Sequence, residues 1–270
     1  VFNDKNFRIG LSHAINRQEI IDAAYQSQGE PYQGAPRPES PFFNEKLAKQ
    51  YTEYDVALAN QFLDKVLPKK NGAGMRLGPD GKPFVFQVET AAAPTASQEG
   101  AALELMQGYF KAVGIDMRVK SLERSLFYER KDGNQPDATT WSGDGGLDVI
   151  LEPRWYFPFS TESNYAIPWA IWFNDPKADG AIEPAAPAKK QMELYRQLMN
   201  SADTEERTDL MKQILQISQE EFWVMGLALP TEGYGIVKNN FHNVPEEMVS
   251  AYLSLTPAQT NPSQYWIEGE

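Results

Sequence analysis

The most constraining feature of the sequence is an alternation of extended and helical segments in its central third. PFVFQVET (83–90) places apolar residues at every second position, which is typical of a β-strand. IDMRVKSLE (115–123) and DATTW (137–141) are two further extended segments, and helical patterns at 98–113 and 125–133 separate the three. Because a strand–helix–strand connection joins parallel neighbours, the sequence predicts an α/β fold.

Further helical patterns lie on both sides of this central block. Before it, apolar residues recur at helical spacing at 4–15, 17–25 and 56–67. Asn16 and Asp55 stand where the second and third of these helices begin, and both are predicted N-caps. After it, two polar helices and two extended segments are predicted at 187–201, 204–221, 223–230 and 234–238. The whole pattern predicts a mixed sheet flanked by helices.

Composition excludes several classes of function. The formal net charge of −12 disfavours binding to nucleic acid, whose phosphates this field repels. The chain has no cysteine, which excludes disulfides and thiolate metal sites, and its two histidines, His13 and His242, are interpreted as structural and as solvent-facing. Gly81-Lys82 is followed by Pro83 where a phosphate loop requires Ser or Thr. No catalytic motif, cofactor or metal site is therefore predicted.

The stretch TWSGDGGLD (140–148) is the strongest candidate for chemistry. Trp141 ends a predicted strand, and the acids Asp144 and Asp148 follow among three glycines. Glycines let the backbone approach a ligand closely, and a carboxylate in a dry cleft binds a cation strongly. Two other interpretations stay open: the acids stabilise a tight turn, or they form a carboxylate pair for glycoside hydrolysis.

Several blocks resemble one family in order and spacing. RIGLSHAINRQEIIDAAYQSQGEP (8–31) is similar to a stretch typical of the solute-binding proteins of ABC importers of the peptide/opine/nickel class, the family 5 extracellular solute-binding proteins. The blocks at 40–66, 80–90 and 113–144 follow in that family's order. The resemblance runs over essentially the whole chain.

The resemblance implies lobe II of a periplasmic-binding-protein-like type II fold. Residues 1–222 then form the ligand-binding lobe, and residues 223–270 form a C-terminal return segment that would complete lobe I in a full-length protein. Since members of the family usually have two lobes and about twice this length, the resemblance implies a C-terminal half, and the return segment is expected to be improvised against lobe II or poorly ordered.

The resemblance also implies a binding site. In peptide-binding members the acid of a W-x-x-D block pairs with the ligand's α-ammonium, and Trp141 and Asp144 match that block. The sequence departs from the family after the acid, where Gly145-Gly146-Leu147-Asp148 replaces the usual aromatic residue and proline. The residues predicted to bind ligand are Tyr32, Arg37, Trp141, Asp144, Asp148, Trp155, Asn164 and Tyr165. For the aromatic residues, packing in the core is the alternative role, and Arg154 is weighed between a surface role and contact with an anionic ligand group.

The implied function is that of the substrate-binding component of an ABC importer. Such a protein captures an oligopeptide or related small solute between two lobes and delivers it to permease subunits in the membrane. It is not an enzyme, needs no cofactor, and acts in the periplasm or as a lipid-anchored extracellular protein. Alternatives are an oligosaccharide, opine or chelate as ligand, a sensor outside transport, and a glycoside hydrolase that uses Asp144 and Asp148.

Overall fold

The structure is a computed structural model that describes residues 1–91, 97–143, 147, 149–249, 251, 253–254 and 258–269. Its elements in chain order are α1 (Lys5–Ala14), α2 (Arg17–Ala24), β1 (Glu30–Pro31), α3 (Glu45–Lys49), α4 (Val56–Asp64), β2 (Val85–Thr90), α5 (Gln98–Ala112), β3 (Asp116–Ser121), α6 (Arg124–Asp132), β4 (Ala138–Thr139), α7 (Ile167–Asn174), α8 (Ala186–Asn200), α9 (Thr204–Glu221), β5 (Ala228–Leu229), β6 (Phe241–His242) and β7 (Trp266–Ile267). Short 3₁₀ helices occur at Pro153–Trp155, Ala258–Thr260 and Pro262–Gln264. Within these described ranges, no helix is both long and apolar enough to cross a membrane.

The central sheet contains three parallel strands in the order β3–β2–β4. β2 pairs with β3 along six residues, from Val85 opposite Asp116 to Thr90 opposite Ser121. The shorter β4 pairs with the carboxyl-terminal half of β2, with Ala138 opposite Val88. The prediction of parallel neighbours joined through helices is confirmed. Antiparallel pairs form separately, between β1 and β5 and between β6 and β7, so the α/β fold contains both kinds of pairing.

The first core lies on the face of the central sheet that α5 covers, and α1, α2 and α4 also contribute to it. Alternation along β2 turns Phe86 and Val88 to this face, where they are 4% and 6% exposed. Each large side chain buried here contributes roughly 1.5–3 kcal/mol of transfer free energy. The helical side chains of this core include Phe7, Leu11, Ile20, Leu63, Ala102 and Phe110.

A second core forms where α8 and α9 pack on the segment that precedes them. It contains Phe157 and Met192, which are fully buried, and the apolar stripe of α9 at Leu210, Ile214 and Leu215. Phe42 and Leu47, which precede and lie within α3, also belong to it. α3 and the residues just before it therefore pack on the second core.

The predicted N-caps are confirmed. The Asn16 side chain accepts a hydrogen bond from the Glu19 backbone N–H at 3.3 Å, and the Asp55 carboxylate accepts one from the Leu58 N–H at 2.8 Å. Such caps satisfy backbone donors that have no partner inside the helix. The sequence therefore fixes where α2 and α4 begin.

Two buried arginines attach residues 221–226 to α1 and α2. Arg8 donates from Nε to the Phe222 carbonyl at 2.9 Å and from Nη2 to the Glu221 carbonyl at 2.8 Å, where a cation stabilises the carboxyl end of α9. Arg17 donates from Nε to the Gly226 carbonyl at 3.0 Å. β5 pairs with β1, so the attachment extends to residue 229.

The sequence prediction differs from the structure in three segments. The helix α7 was not predicted, because its sequence IPWAIWFN is apolar on all sides and has no amphipathic period. The helix α3 is only five residues long and gives too short a pattern to detect. The extended segment predicted at 234–238 forms no strand, and Tyr234 and Ile236 there are 90% and 92% exposed.

Gly226→Ala is expected to lower the free energy of unfolding by about 1.5 kcal/mol, the usual scale of overpacking. A Cβ atom at this position would lie 2.5 Å from the Gln33 carbonyl carbon and 2.6 Å from the Tyr32 carbonyl oxygen, and neither backbone atom can move freely. Gly235→Ala is the matched control, since nothing lies within 4 Å of its Cβ position. Urea denaturation of both variants checks the prediction, and equal stability of the two would contradict it.

Candidate functional site

The carboxyl ends of the three parallel strands meet at one edge of the central sheet. Backbone hydrogen bonds extend the pairing to this edge, from the Leu122 N–H to the Thr90 carbonyl at 2.9 Å and from the Thr140 N–H to the Glu89 carbonyl at 3.3 Å. In open α/β sheets, ligands bind outside the carboxyl ends of the strands. We call this region the carboxyl edge.

Trp141 lies at the carboxyl edge, two residues beyond β4, and is half-buried. Its ring stacks on Phe127 of α6, with centroids 5.6 Å apart and planes at 15°. Tyr128 lies beside it at 5.6 Å, and the Arg124 guanidinium carbon lies 5.5 Å from the ring centroid. We call these four residues the Trp141 cluster. It offers an aromatic surface and an exposed cation side by side.

Asp144 and Asp148, the two acids predicted to act beside Trp141, lie outside the described residues. Their proposed roles therefore rest on the sequence. Trp141 and Gly143 are described, and they place the start of this loop at the carboxyl edge.

A buried ion pair lies beneath the carboxyl edge. The Glu89 side chain has no exposed surface, and its Oε1 lies 2.6 Å from Arg130 Nη2 while its Oε2 lies 2.8 Å from Arg130 Nε. Lys120 Nζ lies 3.6 Å from the same carboxylate. The Arg130 hydrogen bonds lower the pKa of Glu89 below its ordinary value, against the opposing effect of burial. The pair fastens α6, and with it the Trp141 cluster, to β2.

Glu89→Gln is expected to lower the urea unfolding midpoint more at pH 7 than at pH 3. Since the folded-state pKa is lowered, the ionised carboxylate adds stability above the ordinary glutamate pKa of about 4.3, and this stability is lost as the pH falls through the folded-state pKa. Glu129→Gln, an exposed change on the same helix, should have no effect at either pH. An equal loss at both pH values for Glu89→Gln would contradict the prediction.

Asn164 and Tyr165 are adjacent in sequence but lie in different parts of the structure. The Asn164 carbonyl accepts a hydrogen bond from Thr139 Oγ1 at 2.7 Å, which brings its backbone to β4 beside the carboxyl edge. Tyr165 instead lines a cavity of about 10 Å³ together with Trp155, and burial raises the pKa of Tyr165. This volume fits about one water molecule and is too small for a ligand.

Trp155 and Arg154 are held in the second core region. Trp155 is half-buried against that core, and its indole N–H has no hydrogen-bond partner among the described residues. The Arg154 guanidinium pairs with Glu152 at 2.5 and 2.7 Å and with Glu162 at 3.1 Å. Arg154 is 7% exposed, so the surface role weighed from the sequence is wrong, and contact with an anionic ligand group stays a prediction.

Tyr32 and Arg37 lie in the segment that joins β1 to α3. Tyr32 is 2% exposed, its hydroxyl donates to the Pro36 carbonyl at 2.7 Å, and burial raises the pKa of Tyr32 to about 12. Arg37 Nε lies 3.4 Å from a Glu39 carboxylate oxygen. Their described contacts are with their own loop and its neighbours, not with the Trp141 cluster.

Sequence reasoning missed two features. Arg124 and Tyr128 are four residues apart on α6, a spacing that places them on one helical face beside Trp141, but only the fold brings the strand end to them. The second feature is a cavity of about 510 Å³ near the ends of α1 and α3 and the start of α4. Its lining residues are His13, Lys46, Gln50, Tyr51, Glu53, Asp55 and Leu58.

Several polar residues of the 510 Å³ cavity already have structural partners, Gln50 among them. Asp55 caps α4, and His13 Nδ1 lies 3.0 Å from the Glu53 carbonyl oxygen. His13 also packs against Phe62, as expected of a structural histidine. No group of three or more His, Asp or Glu side chains in the described part of the chain is arranged to hold a metal ion. We therefore treat the carboxyl edge as the primary candidate and this cavity as the second.

Comparison with protein families gives a match over more than half of the chain. Residues 1–165 match the family described as bacterial extracellular solute-binding proteins, family 5 middle. Among curated proteins, the chain is 25% identical to Di/tripeptide-binding protein 3 of Pseudomonas aeruginosa (strain UCBPP-PA14) over 232 residues, which is 85% of this chain and 38% of that protein.

Comparison with solved structures also finds binding proteins. The oligopeptide-binding protein OppA superposes with a TM-score of 0.83 and 32% identity, covering 100% of this chain and 44% of that one. The periplasmic binding protein MelB from Agrobacterium fabrum, in complex with stachyose, superposes with a TM-score of 0.67 over 83% of this chain and 33% of that one. At 18% identity, the second likeness shows the fold alone. The chain spans less than half the length of each of these relatives.

Proposed function

The chain belongs to the bacterial extracellular solute-binding proteins of family 5, and we propose from this premise that it is the substrate-binding part of an ABC importer. Its α/β fold is of the periplasmic-binding-protein type, shared with OppA over the whole chain. The family consists of binding proteins, not enzymes. The ligand we propose is an oligopeptide or a related small solute, which is supported by the peptide-binding names of the relatives in sequence and structure.

The observation that supports this function best is the Trp141 cluster at the carboxyl edge. In our proposal the exposed side of the Trp141 ring packs against the ligand, and Asp144, three residues further along the chain, pairs with its α-ammonium group. A carboxylate that loses water on ligand binding attracts a cation more strongly than one in bulk solvent. The pair Glu89–Arg130 holds α6 rigidly under this surface, so the ligand meets a preorganised site.

We further propose that residues 1–222 act as one ligand-binding lobe and that residues 223–270 return toward a second lobe. Residues 221–229 are attached to α1, α2 and β1 and would form the start of this return, and the exposed Tyr234 and Ile236 beyond them support a segment that leaves the lobe. Ligand would bind between the two lobes, and closure would present the complex to a membrane permease outside the cytoplasm. The remaining candidates, Tyr32, Arg37, Asp148, Trp155, Asn164 and Tyr165, stay proposals for this site.

An oligosaccharide is the second candidate ligand. The stachyose complex of MelB shares the fold, and half-buried aromatic rings such as Trp141 suit the apolar faces of sugars. A glycoside hydrolase that uses Asp144 and Asp148 is a third and weaker candidate.

Native mass spectrometry of the full-length gene product, purified without denaturation, tests the proposal. We expect retained molecules with the masses of short peptides. A retained oligosaccharide would favour the second candidate, and turnover of a chromogenic glycoside that Asp144→Asn abolishes would favour the third. If no small molecule is retained and calorimetry with short peptides and oligosaccharides detects no binding, the proposed function is wrong.

A further inference from the structure

Arg124 occupies an unusual position beside Trp141. It is exposed at the start of α6, and its guanidinium carbon lies 5.5 Å from the Trp141 ring centroid and 5.6 Å from the Tyr128 ring centroid. Contact with two aromatic rings restrains an otherwise flexible side chain. Its Nη2 also donates to the Tyr128 hydroxyl at 3.5 Å, and its other N–H groups have no hydrogen-bond partner among the described residues, so they stay available to a ligand.

The other cations near the carboxyl edge are already paired. Arg130 and Lys120 contact Glu89, and Lys131 contacts Asp132 and the Thr161 carbonyl. Arg124, in contrast, forms no ion pair with any residue that the structure describes. Its neighbour Glu123 is occupied by its own cap, since its Oε2 accepts from the Ser125 N–H at 2.8 Å.

The net negative charge of the chain bears on the interpretation of Arg124. With 37 acidic and 25 basic residues, a cation has many acids available for pairing. A restrained arginine that forms no ion pair within the described part of the chain is therefore not explained by an excess of basic residues. Planar guanidinium groups bind carboxylates through two parallel hydrogen bonds.

We propose that Arg124 is a specificity-determining residue that binds a carboxylate of the ligand beside Trp141. This inference rests on the proposed function and narrows its ligands to solutes with an anionic group. For a short peptide the carboxylate is either the free C-terminus or an acidic side chain. The chemistry is the same in both cases, and the test separates them.

Isothermal titration calorimetry with four probe peptides tests the proposal on the full-length gene product. Trialanine and trialanine amide differ only in the C-terminal carboxylate, while Ala-Glu-Ala amide and Ala-Gln-Ala amide differ only in a side-chain carboxylate. In the wild-type protein, at least one anionic probe should bind about tenfold more tightly than its neutral partner, the scale of one charge-assisted hydrogen bond. The pair that shows the difference identifies the source of the carboxylate.

Arg124→Gln should abolish this preference by weakening the anionic probe far more than its neutral partner. Arg124→Lys, which keeps the charge but not the planar donor pair, should retain part of it. Arg196→Gln is the matched control, because Arg196 is also exposed and lies 4.6 Å from an aromatic centroid, that of Phe173, but belongs to α8. This control should leave the preference intact.

Three outcomes would overturn the inference. The wild-type protein could bind each anionic probe and its neutral partner equally, or Arg124→Gln could weaken all probes to the same extent. In both cases the proposed function stands while the role of Arg124 is wrong. Failure of all four probes to bind, together with retention of no peptide on purification, would instead overturn peptide binding itself, and the inference with it.

Discussion

Replacing Arg17 with methionine is expected to lower the free energy of unfolding by about 4 kcal/mol. Arg17 is 1% exposed, and its three nitrogens donate to the Gly226 carbonyl at 3.0 Å, the Ser12 carbonyl at 2.9 Å and the Ser12 hydroxyl at 2.8 Å. Burial lowers the pKa of Arg17 to about 10, so the side chain still carries its charge at neutral pH. Methionine fills similar volume but leaves two buried carbonyls without this donor.

Urea denaturation followed by tryptophan fluorescence measures the loss. Arg118→Met is the control, because the Arg118 side chain is 65% exposed and its contact with Asp116 is a surface ion pair, which adds at most about 1 kcal/mol. A loss at Arg17 no larger than at Arg118 would show that Gly226 is not held to α2 as described. It would also remove the structural basis for the attachment of residues 221–229 to the ligand-binding lobe.

The second large effect concerns ligand affinity. Trp141→Ala is expected to weaken binding of the retained ligand about 30-fold, or about 2 kcal/mol, as for a buried aromatic anchor in an interface. The loss arises because the ligand no longer has the ring face to pack against, and because Arg124 loses one of the two rings that restrain it. Calorimetry on the wild-type and variant proteins measures the ratio.

Two further variants separate binding from stability. Trp141→Phe keeps an aromatic ring over Phe127 and should retain much of the affinity. Trp172→Ala removes a half-buried tryptophan that packs against the second core and lies near Lys189, and it should lower stability without a specific effect on binding. If Trp172→Ala weakened binding as much as Trp141→Ala, the effect would reflect the fold and not the site.

The parts of the fold that the sequence predicted are those determined by local chemistry. Alternation in 83–90 and the caps Asn16 and Asp55 depend on nearby residues, and the structure has them as predicted. The helix α7 was not predicted because both its faces are apolar and its sequence has no amphipathic period. Packing in the folded chain therefore determines that this segment is helical.

The candidate site was harder to predict because the residues that form it are distant from one another in sequence. Trp141 stood out as an aromatic residue at a strand end, whereas Arg124 became relevant only when the sheet brought α6 beside it. For Arg154, too, the contacts in the folded chain could not be predicted from the sequence. Its charge suggested a surface or ligand role, but Glu152 and Glu162 pair with it in the folded chain. Charge pairing of this kind is a tertiary property.

The most direct test of the central claim, that ligand binds at the carboxyl edge, is hydrogen–deuterium exchange with and without ligand. The full-length gene product would be measured alone and with its retained ligand, or with trialanine. The account predicts slower exchange on binding in residues 121–128 and 139–143, which contain the Trp141 cluster. Slower exchange confined to residues 46–58, which line the 510 Å³ cavity, with the carboxyl edge unchanged, would contradict it.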